Sequence, residues 1–134
     1  MTKAAGITTR CAFMLGNPGE TEASIERTIR YSIDLDPDIA LYNITTPYPG
    51  TKMFDWAKEK GYLLSENWDD YDLSKPVMRL PSLTADALQR GYKKSYRSFY
   101  FRPRYILKCL RQGVSPAGLR MLAQGFRKML ALSH

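Results

Sequence analysis

Two hydrophobic periods alternate along the first sixty residues. The run ITTRCAFML, residues 7–15, is rich in β-branched and apolar types, ends at Gly16, and fits a strand buried on both faces. Ile25, Ile29 and Ile33 then repeat at a spacing of four, the signature of one helical face. Thr21 is placed as N-cap, with Glu20 and Glu22 at the positive end of the helix dipole. DLDPD ends this helix at Pro37, because the ring disfavours helical geometry at Asp36 and cannot continue the ladder. A second apolar run, IALYNIT at 39–45, predicts a second strand. Pro47, Pro49 and Gly50 then force a turn, Thr51 can cap, and KMFDWAKEK forms a short helix stopped at Gly61.

The order strand, helix, strand, helix argues for parallel strands joined by right-handed crossovers. Two Pro-Gly turns, at Pro18 and Pro49, lie 31 residues apart, about one βα unit. Both therefore fall at the carboxyl ends of neighbouring parallel strands, the edge at which such folds bind ligands.

Beyond Gly61 the pattern changes. Residues 62–83 carry no sustained period and read as a long ordered loop, with a short strand at PVMRL. Thr84 opens a long helix with Leu88, Tyr92, Tyr96 and Phe99 on one side. Pro103 interrupts it, RYILKCLRQ continues to Gly113, and Ser115-Pro116 caps a last helix with Leu119, Leu122, Phe126 and Met129 on one face. The expected division is 1–83, with two βα units and a loop, and 84–134, a helical extension.

Composition sharpens that division. The 134 residues are 44% hydrophobic and 25% charged, a globular balance. Residues 1–78 hold 8 Lys and Arg against 12 Asp and Glu, net −4, whereas residues 79–134 hold 12 against Asp86 alone, net +11. No run is long enough to span a bilayer and no signal-peptide core is present, so the expected location is the cytoplasm. Cys11 and Cys109 are too few and too far apart for a local metal site, and no metal ligand or catalytic residue is assigned.

Glycines 16 and 19 let backbone approach a ligand, and the following helix start favours an anion. Glu20 opposes a phosphate there and suits hydroxyls or an amino group. A purely structural turn accounts for either motif taken singly. Neither turn holds a Gly-rich phosphate loop or its lysine, which disfavours a nucleotide-binding domain.

With FMLGNPGET and ITTPYPGTK in this order, the chain resembles the late part of a radical S-adenosylmethionine enzyme barrel. WDDYD, KPVMRLPSLT and YRSFYFRPRYILKCL are similar to the continuation in members carrying a cobalamin-binding domain, including cyclases of the anaerobic magnesium-protoporphyrin monomethyl ester type. The resemblance spans roughly residues 4–112. It implies the last βα units of a partial (β/α) TIM-type barrel followed by an all-helical extension. It also implies that Ala12, Met14 and Gly16 line the adenine and ribose side of S-adenosylmethionine, and that Pro18, Gly19 and Glu20 shape the turn. Thr46, Pro47 and Tyr48 would face cofactor or substrate.

One departure limits that reading. The family's 4Fe-4S cluster needs a Cys-x3-Cys-x2-Cys loop, which this chain lacks. The resemblance thus implies a fragment of a cyclase- or methyltransferase-type enzyme, inactive alone, with cluster and cobalamin held only in a parent protein. Its partner would be the missing part of the barrel, or another copy joined through exposed strand edges, and its small-molecule substrate is not identified. Three alternatives stand beside it: a non-catalytic interaction module, a basic nucleic-acid surface with Tyr92, Tyr96, Tyr100 and Tyr105 among arginines, and a peripheral membrane contact through the helix at 115–132. Nucleic acid is disfavoured because related RNA-modifying enzymes bring a dedicated β domain.

Overall fold

The computed structural model of the chain describes residues 5–112. Its elements are β1 (Arg10–Leu15), α1 (Glu22–Leu35), β2 (Ile39–Ile44), α2 (Lys52–Glu59), α3 (Ala85–Tyr100) and α4 (Pro103–Gln112), with a 3-10 turn at Trp68–Asp70. The class is α/β, with a small parallel sheet of two strands and four helices among the described residues. The chain divides into two compact units, Met1–Tyr92 and Lys93–His134, so α3 begins in one and ends in the other.

In the first unit β1 and β2 run parallel, in register from Arg10 opposite Ile39 to Leu15 opposite Ile44. Both ends of that register are pinned. At the start, the Thr9 N–H and hydroxyl donate to the Asp38 carboxylate at 2.7 and 2.9 Å, and the Asp38 N–H returns a bond to the Thr9 hydroxyl at 3.0 Å. At the far end the Thr45 N–H donates to the Leu15 carbonyl at 2.7 Å.

α1 forms where its caps direct it. The Thr21 hydroxyl accepts from the Ser24 N–H at 3.2 Å while the Ser24 hydroxyl accepts from the Thr21 N–H at 3.0 Å, a reciprocal capping box. Asp36 closes the helix in the left-handed region at φ 46, immediately before Pro37. The isoleucine stripe turns inward, with Ile25 and Ile29 buried. Beside them the hydroxyls of Ser32 and Tyr42, both fully buried, meet at 2.5 Å. α2 is capped by Thr51, whose hydroxyl accepts from the Phe54 N–H at 3.2 Å, and it ends at Glu59, ahead of Gly61.

β1 differs from its expectation in two respects: it starts at Arg10 rather than residue 7, and it is not buried on both faces. α1 covers one face only, where Phe13 stacks on Tyr42 at 5.4 Å and meets the edge of Tyr31 at 6.5 Å. A continuous apolar run has no period that marks which face is covered.

The loop 62–83 is ordered by short antiparallel bonds, Leu64 N–H to the Val77 carbonyl at 2.9 Å and Arg79 N–H to the Tyr62 carbonyl at 2.7 Å. PVMRL makes isolated bridges rather than a strand. The same loop reaches β2: the Leu73 carbonyl accepts from the Ile44 N–H at 2.7 Å, with Leu73 itself at φ 63.

In the second unit Tyr96, Phe99 and Tyr105 are buried, as the helical spacing of the first two requires. Their rings pack on one another, Phe99 to Tyr105 at 5.4 Å and Tyr100 edge-on to Tyr105 at 5.2 Å. The Arg102 guanidinium lies 4.3 Å from the Phe99 ring and its Nε donates to the Phe99 carbonyl at 2.9 Å. Pro103 opens α4 at the first helical position, where its missing N–H costs nothing. The helix expected at 115–132 and the terminal His134 lie outside the described residues.

Candidate functional site

Side chains alternate across a strand, and register partners in a parallel pair share a face. Cys11, Phe13 and Leu15 therefore join Ala40, Tyr42 and Ile44 on the face beneath α1. Ala12 and Met14 join Leu41 and Asn43 on the other. On that face Ala12 is exposed, Met14 is 44% exposed, and Leu41 and Asn43 are half-buried. The sheet thus presents a mainly apolar strip with one amide in it, just below the two Pro-Gly turns.

The first turn holds itself in shape. The Glu20 carboxylate accepts from the N–H groups of Gly16 and of Asn17, the latter at 3.1 Å, and the Glu20 N–H donates to the Asn17 carbonyl at 3.0 Å. Gly16 and Gly19 take φ +87 and +83, a region that L side chains rarely adopt. Two distant residues brace the turn. The Ser82 hydroxyl donates to the Glu20 carbonyl at 2.6 Å, and Leu88 of α3 packs so closely on Gly16 that a Cβ there would stand 2.7 Å from its Cδ2. Glu20 thus occupies the turn amides of residues 16 and 17, while Pro18 and Gly19 remain exposed at the tip.

The second turn is tied to the first. The Thr45 hydroxyl donates to the Asn17 side-chain oxygen at 3.1 Å, bridging the ends of both strands. Thr46 and Pro47 are buried, and the Thr46 hydroxyl donates back to the Ile44 carbonyl at 3.2 Å. Tyr48 is 42% exposed and its ring stands 5.9 Å from Tyr71, which stands 5.9 Å from Trp68. Partial burial pushes the Tyr71 phenol above its ordinary value, and the carboxylates of Glu66 and Asp70 push the same way. Partial burial also acts to raise the Asp72 carboxyl, but hydrogen bonds from the Ser74 N–H and hydroxyl, with Lys75 nearby, outweigh it and hold the group low.

Of the residues singled out from sequence, the structure brings Ala12 and Met14 onto the open face and puts Gly16, Pro18, Gly19 and Glu20 in one turn above it. Thr46 and Pro47 are packed inward, and Tyr48 looks toward the acidic loop. Leu41 and Asn43, which complete the open face, and the Asn17 to Thr45 bridge were missed. The alternation within IALYNIT was the available signal, since positions 41 and 43 take the opposite parity to 40, 42 and 44.

Cys11 lies on the covered face, and Cys109 is buried in α4, where burial raises its thiol against the opposing pull of the Tyr105 hydroxyl and Lys108. Among the described residues no three His, Cys, Asp or Glu side chains converge on a metal position, and no helix is long and apolar enough to cross a membrane. The sequence supplies two thiols, so a cluster held by three cysteines does not fit this chain.

No protein-family model matches the chain. It is 39% identical over 97 residues to an uncharacterised methyltransferase of Pyrococcus horikoshii, covering 72% of this chain and 21% of that protein. It is 30% identical over 125 residues to the anaerobic magnesium-protoporphyrin IX monomethyl ester cyclase of Cereibacter sphaeroides, covering 83% and 20%. A bacteriochlorophyllide d C-8(2)-methyltransferase of Chlorobaculum tepidum is 24% identical over 106 residues, covering 79% and 24%. The chain spans about a fifth of the length of the curated relatives it matches.

Proposed function

We propose that residues 1–83 of this chain are two βα units and a loop of a radical S-adenosylmethionine (β/α) barrel of the cyclase or methyltransferase kind, followed by a helical extension, and that they contribute part of the cofactor and substrate wall. The observation that carries this reading is a coincidence on one strand. In the parallel ladder Cys11, Phe13 and Leu15 turn their backbone groups toward β2, so those of Arg10, Ala12 and Met14 point to the outer edge. The same residues expose their side chains on the open face. Among the described residues no strand pairs with that edge, and a strand with such an edge and an uncovered apolar face suits a sheet that continues beyond β1 and closes around a ligand.

In that barrel Ala12, Met14 and Leu41 offer an apolar surface for a flat ring, and Asn43 offers an amide that can donate and accept beside it. Gly16 and Glu20 shape the turn above. The cluster, and a cobalamin domain where the parent has one, are assigned to other parts of that protein. Such a cluster would supply one-electron chemistry in the parent protein, and the residues of this chain would orient and enclose the cofactor or substrate. The 134 residues alone are expected to be catalytically silent.

Titrating isotope-labelled chain with S-adenosylmethionine tests the wall by amide chemical shift. The expected perturbations are weak and confined to Ala12, Met14, Gly16, Leu41, Asn43 and the two turns. Shifts elsewhere, or none at millimolar cofactor, refute the wall; formation of 5′-deoxyadenosine by the isolated chain refutes its silence. The outer edge of β1 also favours a second reading, an interaction module that pairs with another copy. Sedimentation showing association that Met14→Lys abolishes supports it, and a monomer at every concentration removes it.

A further inference from the structure

α4 carries two unlike sides. Tyr105 and Cys109 are buried on one, while Pro103, Ile106 and Leu107 share the other. Ile106 is 39% exposed and Leu107 54%, and Phe101, just ahead of the helix, is 51% exposed. Arg104 is exposed one turn from Leu107 and Lys108, and Lys108 is half-buried. No acidic residue follows Asp86, so residues 87–134 hold 11 Lys and Arg and no Asp or Glu. An apolar stripe bordered by basic residues, in a stretch of sequence without acidic ones, is the arrangement of a helix lying in a lipid headgroup region.

We propose that the outward side of α4 seats this chain on an anionic bilayer. Leu107, Ile106 and Phe101 enter the boundary between headgroups and acyl chains, and exposed Arg104 meets lipid phosphates. Charge complementarity selects the anionic surface, and the exposed aliphatic side chains select lipid over nucleic acid. Binding of single-stranded nucleic acid needs a row of free aromatic faces, whereas Tyr96 and Tyr105 are buried and the rings of Tyr96, Phe99, Tyr100 and Tyr105 pack on one another, which leaves Phe101 as the exposed ring of this stretch. The proposal uses none of the residues in the sheet and stands apart from the barrel reading.

Flotation of the full 134-residue chain with vesicles tests it. The chain is expected to float with vesicles of equal parts phosphatidylcholine and phosphatidylglycerol, to stay below with phosphatidylcholine alone, and to be released by salt. Leu107→Asp with Ile106→Asp is expected to weaken partitioning at least about tenfold, and Arg104→Gln about fivefold. Both aliphatic positions are exposed, and Leu107→Ser provides a milder variant whose helix content is checked by circular dichroism. A Leu107→Trp reporter should shift its emission to the blue on mixed vesicles. The proposal is overturned if the chain does not float at low salt, or if the aspartate variant floats like the parent. It is equally overturned if an RNA oligomer binds while vesicles do not, or if sedimentation shows the stripe buried in a self-association that excludes vesicles.

Discussion

Gly16→Ala tests whether the turn above the open face is fixed by backbone geometry and by Leu88 together. At φ +87 an L residue costs about 1–2 kcal/mol relative to glycine. The new Cβ would also stand 2.7 Å from Leu88 Cδ2 and 3.3 Å from Cδ1. Relief requires Leu88 to leave its rotamer or α3 to shift, about another 1–2 kcal/mol. Gly19 provides the control: its φ is +83, but nothing lies within 4 Å of a Cβ built there, so Gly19→Ala carries the backbone cost alone. The expected losses are therefore about 2–4 kcal/mol at residue 16 and about 1–2 at residue 19.

The assay is urea unfolding followed by tryptophan emission. Trp56 and Trp68 are the only tryptophans and both lie in the first unit, so the signal reports that unit. A double-mutant cycle isolates the contact. Leu88→Ala alone should cost about 2–5 kcal/mol as a buried leucine, and about 1–2 kcal/mol less in the Gly16→Ala background, where it removes the clash. Equal losses at residues 16 and 19, or strict additivity with Leu88→Ala, would refute the close approach of α3 to the turn.

Three further outcomes follow from the same packing. Tyr42→Phe removes a hydroxyl bonded at 2.5 Å to buried Ser32 and should lower stability by about 1 kcal/mol in the same urea titration. Iodoacetamide at about pH 8 should alkylate half-buried Cys11 before Cys109, whose thiol is buried and raised in pKa, and peptide mass mapping reads the order. The depressed Asp72 carboxyl favours the ionised form in the fold, so its contribution is present above its ordinary value of 3.8 and is lost as pH falls below it through the lower folded value. Asp72→Asn should flatten that part of an acid titration followed by tryptophan emission.

Much of the local structure was legible because it is decided within a few residues. Thr21 and Thr51 cap as their hydroxyls allow, Pro37 stops α1, and the spacing of Leu88, Tyr92, Tyr96 and Phe99 marks a helix side that is buried in the fold. What escaped depends on partners far along the chain. ITTRCAFML is apolar throughout, so nothing in it says that α1 covers Phe13 and Leu15 while Ala12 and Met14 stay open. Glu20 reads as a charge offered to a ligand, yet its carboxylate closes on amides three and four residues back, with Ser82 on its carbonyl. Only pairing the two strands in register brings Asn43 opposite Met14.

The carbonyl of Leu73 on the Ile44 N–H makes the two edges of the small sheet unequal. Head-to-tail addition requires the outer edge of β1 in one molecule to meet the outer edge of β2 in the next, and the loop bond obstructs that second edge near its end. If copies pair through the edge of β1, as the interaction-module reading has it, the N–H already held at Ile44 works against further head-to-tail addition at the end of β2. The left-handed backbone at Leu73, costly for a bulky side chain, is the strain that accompanies this bond.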